Sequence, residues 1–128
     1  MRLLLDTNAL LHLAAGTLSA NARTALQAAD FALISPVVPW ELAIKVKGGR
    51  LTLPQPPLDY VVSLARNYQL TLSPTGLDAA LLCVAADLPL IHRDPFDRVL
   101  IATAIREGLT LLTSDRTIAT YPNLATLW

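Results

Sequence analysis

The chain has 128 residues, and its ten basic and ten acidic side chains cancel to a formal net charge of zero. Hydrophobic residues make up 53% of it, which excludes a disordered chain and indicates one compact domain over residues 1–128. A neutral chain has no general basic coat for nucleic acid. One cysteine excludes a disulfide framework, and no apolar run resembles a membrane span or a signal peptide, which predicts a cytoplasmic protein.

The first predicted element is a short strand of consecutive leucines that ends at an acid. Leu3, Leu4 and Leu5 indicate a central parallel strand buried on both faces. Asp6 then lies where open α/β sheets bind their ligands, and it is either the N-cap of the next helix or a functional group. In chain order the next elements are a helix over 7–15 ended by Gly16, a helix from Ser19 to about 29, and a strand over 31–34.

The third predicted helix opens at Ser35 and stops at Gly48. Glu41 and Lys45 lie four residues apart on one face of it, which leaves two interpretations. They form an ordinary helical ion pair, or Glu41 points into the cleft of Asp6 while Lys45 orients it or meets phosphate. We expect Trp40 to anchor the helix in the core.

The second half of the chain continues the alternation. Its predicted elements are a helix over 58–67, a strand over 69–72, a helix over 77–87 with a start signal at Thr75 and Asp78, a helix ending at 107, a strand over 109–113, a turn over 117–120 and an edge strand over 124–128. Cys83 is expected to be a small buried hydrophobe.

The segment from His92 to Arg98 is the densest in functional residue types. Asp94 before Pro95 predicts a helix N-cap. Asp97 falls in the first turn of the following helix. It either interacts favourably with the positive end of the helix dipole or lies at the border of the predicted cleft. His92 lies outside the helix and is not expected to bind a metal.

This alternation predicts a doubly wound, mainly parallel sheet of order 3-2-1-4-5 with helices on both faces. Asp6 and Asp115 then follow adjacent strands, and Glu41 and Asp97 could converge on them. Two unit charges at about 4 Å repel by roughly 4 kcal/mol at an effective dielectric near 20. Either a cation compensates this charge or some of the acids stay protonated, and oxygen ligands suit Mg²⁺ or Mn²⁺ rather than zinc. The basic residues near these acids predict a local rim for a nucleic-acid backbone: Lys45, Lys47, Arg50, Arg93, Arg98 and Arg116.

Four segments resemble the PIN-domain family, specifically the VapC-type toxins of toxin–antitoxin pairs. They are Leu3 to Asn8, Trp40 to Lys45, His92 to Ala102, and Thr113 to Asp115. The resemblance implies a three-layer PIN-like fold and a metal-dependent ribonuclease whose catalytic and metal-binding acids are Asp6, Glu41, Asp97 and Asp115. It also implies an RNA substrate, homodimers and inhibition by a cognate antitoxin. The expected supporting residues are Thr7, Lys45, Ser114 and Arg98.

Two other classes of protein share part of this pattern. A phospho-accepting receiver domain has a similar size and an acidic Mg²⁺ pocket, but it needs paired acids after its first strand, and Asp6 has no acidic neighbour. A PIN-like module with an inactive site would bind without cutting, although all four acids are present here. Acyl-phosphate labelling would support a receiver domain, and failure to bind a divalent metal would support an inactive PIN-like module.

Overall fold

The described part of the computed structural model, residues 1–73 and 76–128, alternates strands with helices along most of its length. In chain order the elements are β1 (Arg2–Leu5), α1 (Thr7–Ala15), α2 (Ala20–Ala28), β2 (Phe31–Ile34), α3 (Val37–Lys47), α4 (Pro57–Tyr68), β3 (Thr71–Leu72), α5 (Ala79–Asp87), α6 (Pro95–Glu107), β4 (Thr110–Leu112) and β5 (Ala125–Leu127). A 3-10 turn over Ile118–Thr120 joins the last two strands.

The strands form one parallel sheet in the order β3-β2-β1-β4-β5. In the central strand β1, Leu3, Leu4 and Leu5 are at most 1% exposed. Leu5 pairs with Ile34 of β2 on one side and with Leu112 of β4 on the other. Helices on both faces make the fold a three-layer α/β sandwich. The predicted fold class and strand order are confirmed, and the end of β1 lies between the ends of β2 and β4.

Local capping signals set the ends of the helices next to this edge. Gly16 and Gly108 end α1 and α6 in the left-handed conformation, with φ of 72° and 64°. The Asp94 carboxylate accepts hydrogen bonds from the backbone amides of Phe96 and Asp97. The predicted capping role of Asp94 is confirmed, and it fixes the first turn of α6.

The second half of the chain differs from the prediction in detail. α5 begins at Ala79, with Asp78 as its N-cap, and the start signal proposed at Thr75 lies outside the described residues. β3 has two residues because Gln69 takes the left-handed conformation at the end of α4. Cys83 is exposed rather than buried. Among the residues described, no helix is long and apolar enough to cross a bilayer.

Trp40 was expected in the core, and that prediction is wrong. It is 58% exposed, because Val37, Val38 and Leu42 form the buried stripe of α3 and position 40 falls on the other side. The indole ring instead lies edge-on to Phe96, with ring centroids 5.1 Å apart.

Candidate metal centre

Asp6 lies at the carboxyl end of the central strand and is 3% exposed. Its Oδ1 accepts the backbone N–H of Ala9 at 2.6 Å, and it also hydrogen-bonds the Thr113 side chain. Burial raises the pKa of Asp6, and the charges of Glu41 and Asp115 add to the rise, although the two hydrogen bonds oppose it. The two interpretations of Asp6 are therefore compatible, since one carboxylate caps α1 and belongs to an acidic cluster.

Glu41 is also buried, at 4% exposed, on the opening turns of α3. Its Oε1 accepts the hydroxyl of Thr7 at 2.6 Å, and its Oε2 accepts the ammonium of Lys45 at 2.6 Å. The charge of Glu41 raises the pKa of both Asp6 and Asp97. Lys45 thus pairs with a buried carboxylate whose charge acts on Asp6, which is more than an ordinary surface ion pair.

Asp97 and Asp115 approach each other across His92. The imidazole Nε2 lies 3.0 Å from Asp115 Oδ2 and 3.3 Å from Asp97 Oδ2. One potential ligand atom from each of the three residues lies within 4.8 Å of the other two. His92 therefore stands between two acids that come from α6 and from the end of β4.

The two carboxyls differ in their pKa. Burial raises the pKa of Asp97 to about 7, with further contributions from the charges of Asp94, Glu41 and Asp6. Burial also acts on Asp115, but hydrogen bonds from the backbone amides of Thr117 and Ile118 and from His92 outweigh it and lower the pKa. Asp115 is therefore ionised at neutral pH, while Asp97 is poised between its two forms.

The structure brings Asp6, Glu41, Asp97 and Asp115 within electrostatic range of one another at one edge of the sheet. Only oxygen donors and one imidazole converge there, and Lys45 is the basic residue paired with the cluster in the described chain. The pKa of Asp97 is raised first by burial, and the charges of Asp94, Glu41 and Asp6 add to the rise. An oxygen-rich site with excess negative charge fits a hard divalent cation such as Mg²⁺ or Mn²⁺.

Two residues in the cluster were not predicted from the sequence. The Thr113 hydroxyl oxygen accepts the backbone N–H of Asp115 at 3.1 Å and its side chain also hydrogen-bonds Asp6. Strand register could have found it, since Leu5 pairs with Leu112 and the next residue on each strand is Asp6 or Thr113. Ser114, the residue expected to help here, is exposed. His92 had no comparable signal, because its contacts are tertiary.

Arg98 differs from the predicted rim and substrate-supporting role. It is 6% exposed, and its guanidinium donates to the hydroxyl of Tyr121 and to backbone carbonyl oxygens of the segment that precedes α6. Those carbonyls belong to Ala86, Leu88, Pro89 and His92. Burial in this network excludes Arg98 from the rim, whereas Lys47, Arg50, Arg93 and Arg116 are exposed.

Comparison with known proteins identifies the family. The sequence matches the PIN domain over residues 3–124. It is 31% identical to Ribonuclease VapC22 of Mycobacterium tuberculosis over 114 residues, which cover 87% of this chain and 85% of that protein.

Solved structures share the fold at low sequence identity. VapBC2 from Rickettsia felis, bound to a DNA fragment from its promoter, has a TM-score of 0.71 at 18% identity and covers 100% of this chain and 99% of its own. DNA-bound VapBC from Salmonella typhimurium has a TM-score of 0.65 at 16% identity, with 99% of this chain and 97% of that one covered. The family match excludes the receiver-domain alternative. The chain belongs to the PIN domain family, as a VapC-type member.

Proposed function

We propose that the protein is a divalent-metal-dependent endoribonuclease and the toxin of a toxin–antitoxin pair. The observation that carries the proposal is the convergence of Asp6, Glu41, Asp97 and Asp115 at the carboxyl edge of a PIN-domain sheet. The relative from Mycobacterium tuberculosis, which is named a ribonuclease, supports RNA as the substrate.

The contacts within the cluster suggest which acids bind the metal ion directly and which act through water. The pKa values of Asp6 and Asp97 are raised, chiefly by burial and further by neighbouring negative charges. A cation would stabilise the ionised form of both carboxyls, so they would hold the ion. Both oxygens of Glu41 already accept hydrogen bonds, and so do both oxygens of Asp115. These two acids would act through water. A bound Mg²⁺ or Mn²⁺ would supply stabilisation of negative charge on phosphate and a more acidic water.

Hydrolysis then proceeds by in-line attack of water on phosphorus. The new P–O bond forms as the P–O3′ bond breaks, the attacking water loses a proton to solvent and the leaving O3′ takes one up, which leaves a 5′-phosphate and a 3′-hydroxyl. Asp115 is ionised at neutral pH because its pKa is lowered, and its carboxylate can orient the attacking water as a hydrogen-bond acceptor. Lys45 keeps Glu41 in place, and the exposed residues Lys47, Arg50, Arg93 and Arg116 attract the RNA backbone.

The proposed partners are a cognate antitoxin and a second copy of the chain, in the cytoplasm. The two VapBC structures that share this fold support the antitoxin. Exposed apolar side chains support self-association. Trp40 and Leu82 border a groove of about 340 Å³ between α3, α5 and α6, and both are largely exposed.

The decisive experiment compares Asp6→Asn with Asp59→Asn, an exposed acid on α4. We expect wild type and Asp59→Asn to cut single-stranded RNA in Mg²⁺ or Mn²⁺ and to leave 5′-phosphates. Asp6→Asn should lose at least about 100-fold of this activity, with an unchanged circular dichroism spectrum. EDTA should silence the wild type, and Mn²⁺ should restore it. Full activity of Asp6→Asn, or cleavage in EDTA, would contradict the proposal; a folded wild type that neither binds metal nor cuts RNA would instead be an inactive PIN-like module.

A further inference from the structure

His92 is held at both of its ring nitrogens. The backbone N–H of Asp94 donates to Nδ1 at 3.2 Å, and Nε2 lies 3.0 Å from Asp115 Oδ2. A ring nitrogen that accepts an N–H carries no proton of its own, so the neutral imidazole must carry its proton on Nε2. This N–H donates to Asp115, and Asp97 Oδ2 lies 3.3 Å from the same nitrogen.

The backbone of His92 is held in place by hydrogen bonds with two side chains. The backbone N–H of His92 donates to the Tyr121 hydroxyl at 2.8 Å, and the guanidinium of Arg98 donates to the His92 carbonyl at 3.1 Å. Arg98 and Tyr121 also bind the carbonyl of Pro89, at 2.9 Å each. Two side chains from different elements therefore hold the irregular segment before α6, and the imidazole cannot move without breaking several hydrogen bonds.

This geometry disfavours His92 as a direct metal ligand. Coordination through Nε2 needs that nitrogen without its proton, and the proton would then have to move to Nδ1. Nδ1 faces the Asp94 N–H, so two donors would oppose each other. The Nε2–H group suits a different task, which is to hold two like-charged carboxylates close together.

We propose that His92 is a positioning residue that pre-organises Asp97 and Asp115 for the divalent cation, with Arg98 and Tyr121 as the support that keeps it in place. The inference rests on the proposed metal-dependent ribonuclease function. Hydrogen-bond partners of metal ligands generally set ligand orientation, and their loss costs roughly 10- to 100-fold in metal affinity or activity.

Two substitutions at position 92 distinguish the roles of the two ring nitrogens. A glutamine amide can place a donor near the site of Nε2, whereas an asparagine amide reaches only to the site of Nδ1. We expect His92→Asn to weaken Mn²⁺ binding in calorimetry and to lower kcat, each by roughly 10- to 100-fold, with KM for RNA unchanged. His92→Gln should recover most of both losses. His12→Asn, on α1 and outside the cluster, is the matched control and should behave as wild type.

A second measurement uses the wild-type protein and does not depend on any variant folding. Imidazole ¹⁵N–¹H spectra of the metal-free protein should report the proton of His92 on Nε2. It should stay there when MgCl₂ is added. Loss of the Nε2 proton in MgCl₂, or a proton on Nδ1 without it, would overturn the inference, and so would wild-type metal binding and kcat in His92→Asn. A wild type that neither binds Mn²⁺ nor cuts RNA would overturn the proposed function itself.

Discussion

Asp97 stands out among the acids because its carboxyl is buried among other negative charges. Its pKa is raised to about 7, first by burial and then by the charge of Asp94. An unfolded chain would return this carboxyl to an ordinary pKa near 3.9. Between about pH 4 and pH 7 the folded state therefore binds the proton more tightly than the unfolded state does. The protonated Asp97 carboxyl therefore contributes stability that is fully present below pH 4 and is lost as the pH rises through 7.

Asp97→Asn should for this reason stabilise the metal-free protein at pH 8 by at least about 1 kcal/mol, since one pKa unit corresponds to roughly 1.4 kcal/mol. Near pH 4 the two proteins should unfold at similar temperatures. Thermal unfolding in EDTA at both pH values measures the difference, with Asp59→Asn as a control for a generic loss of charge. An equal effect of Asp97→Asn at both pH values would contradict the raised pKa.

Asp6, Asp97 and Asp115 could be predicted as candidates from the sequence because each lies near an element boundary with local signals, and Glu41 because Lys45 follows it by four residues on the same helix face. Asp6 and Asp115 follow apolar strands, and Asp97 follows a capped helix start. The contacts of His92 could not be predicted in this way. Its partners Asp115 and Tyr121 are 23 and 29 residues away, so their proximity depends on how β4 and the following turn pack beside α6.

At the scale of elements, helix ends can be predicted from local capping residues. The burial of individual side chains is harder to predict. α1 and the end of α6 match the prediction because Gly16 and Gly108 act through local backbone geometry. Trp40 and Cys83 were placed in the core on composition alone. Their exposure depends on which side of α3 or α5 meets a neighbour, and the side chains within a single helix contain little of that information.

The segment between α5 and α6 has little regular structure and depends on Arg98. The guanidinium donates to the backbone carbonyls of Leu88, Pro89 and His92 in this segment and to that of Ala86 at the end of α5, and all four lose this donor without Arg98. Arg98→Met keeps an unbranched apolar stem like that of arginine but removes every donor. We expect it to lower the free energy of unfolding by about 3 kcal/mol, since buried polar groups without partners are costly.

Arg106 provides the matched control on the same helix. It pairs with Asp78 on the surface, so Arg106→Met should cost less than about 1 kcal/mol. Urea unfolding followed by circular dichroism measures both variants. Equal losses in the two would mean that the Arg98 network does not stabilise this segment.

At the scale of the whole molecule, the alternation of strands and helices explains the success of the predicted topology, because it favours a parallel sheet covered by helices. This order of strands places the end of β1 beside the end of β4, and the acidic cluster follows from it. The neutral net charge conceals an uneven distribution, because Asp6 and Glu41 are buried at this edge while Lys47, Arg50, Arg93 and Arg116 are exposed. The sequence predicts Arg98 in the basic rim, whereas in the structure Arg98 is buried and hydrogen-bonded to backbone carbonyls.

This distribution predicts how RNA binding depends on salt. Each contact between a basic residue and a phosphate of single-stranded RNA releases counterions and contributes about 0.7 to the slope of log K against log salt. Arg116 is exposed beside Asp115, so Arg116→Gln should weaken binding at low salt and reduce the slope by about this amount. Arg66, exposed on α4, is the control, and Arg66→Gln should leave the slope unchanged. Fluorescence anisotropy with a labelled single-stranded RNA, in an Asp6→Asn background that prevents cleavage, provides the measurement. Equal slopes for the two variants would contradict a basic rim beside the acidic cluster and would place the RNA on another surface.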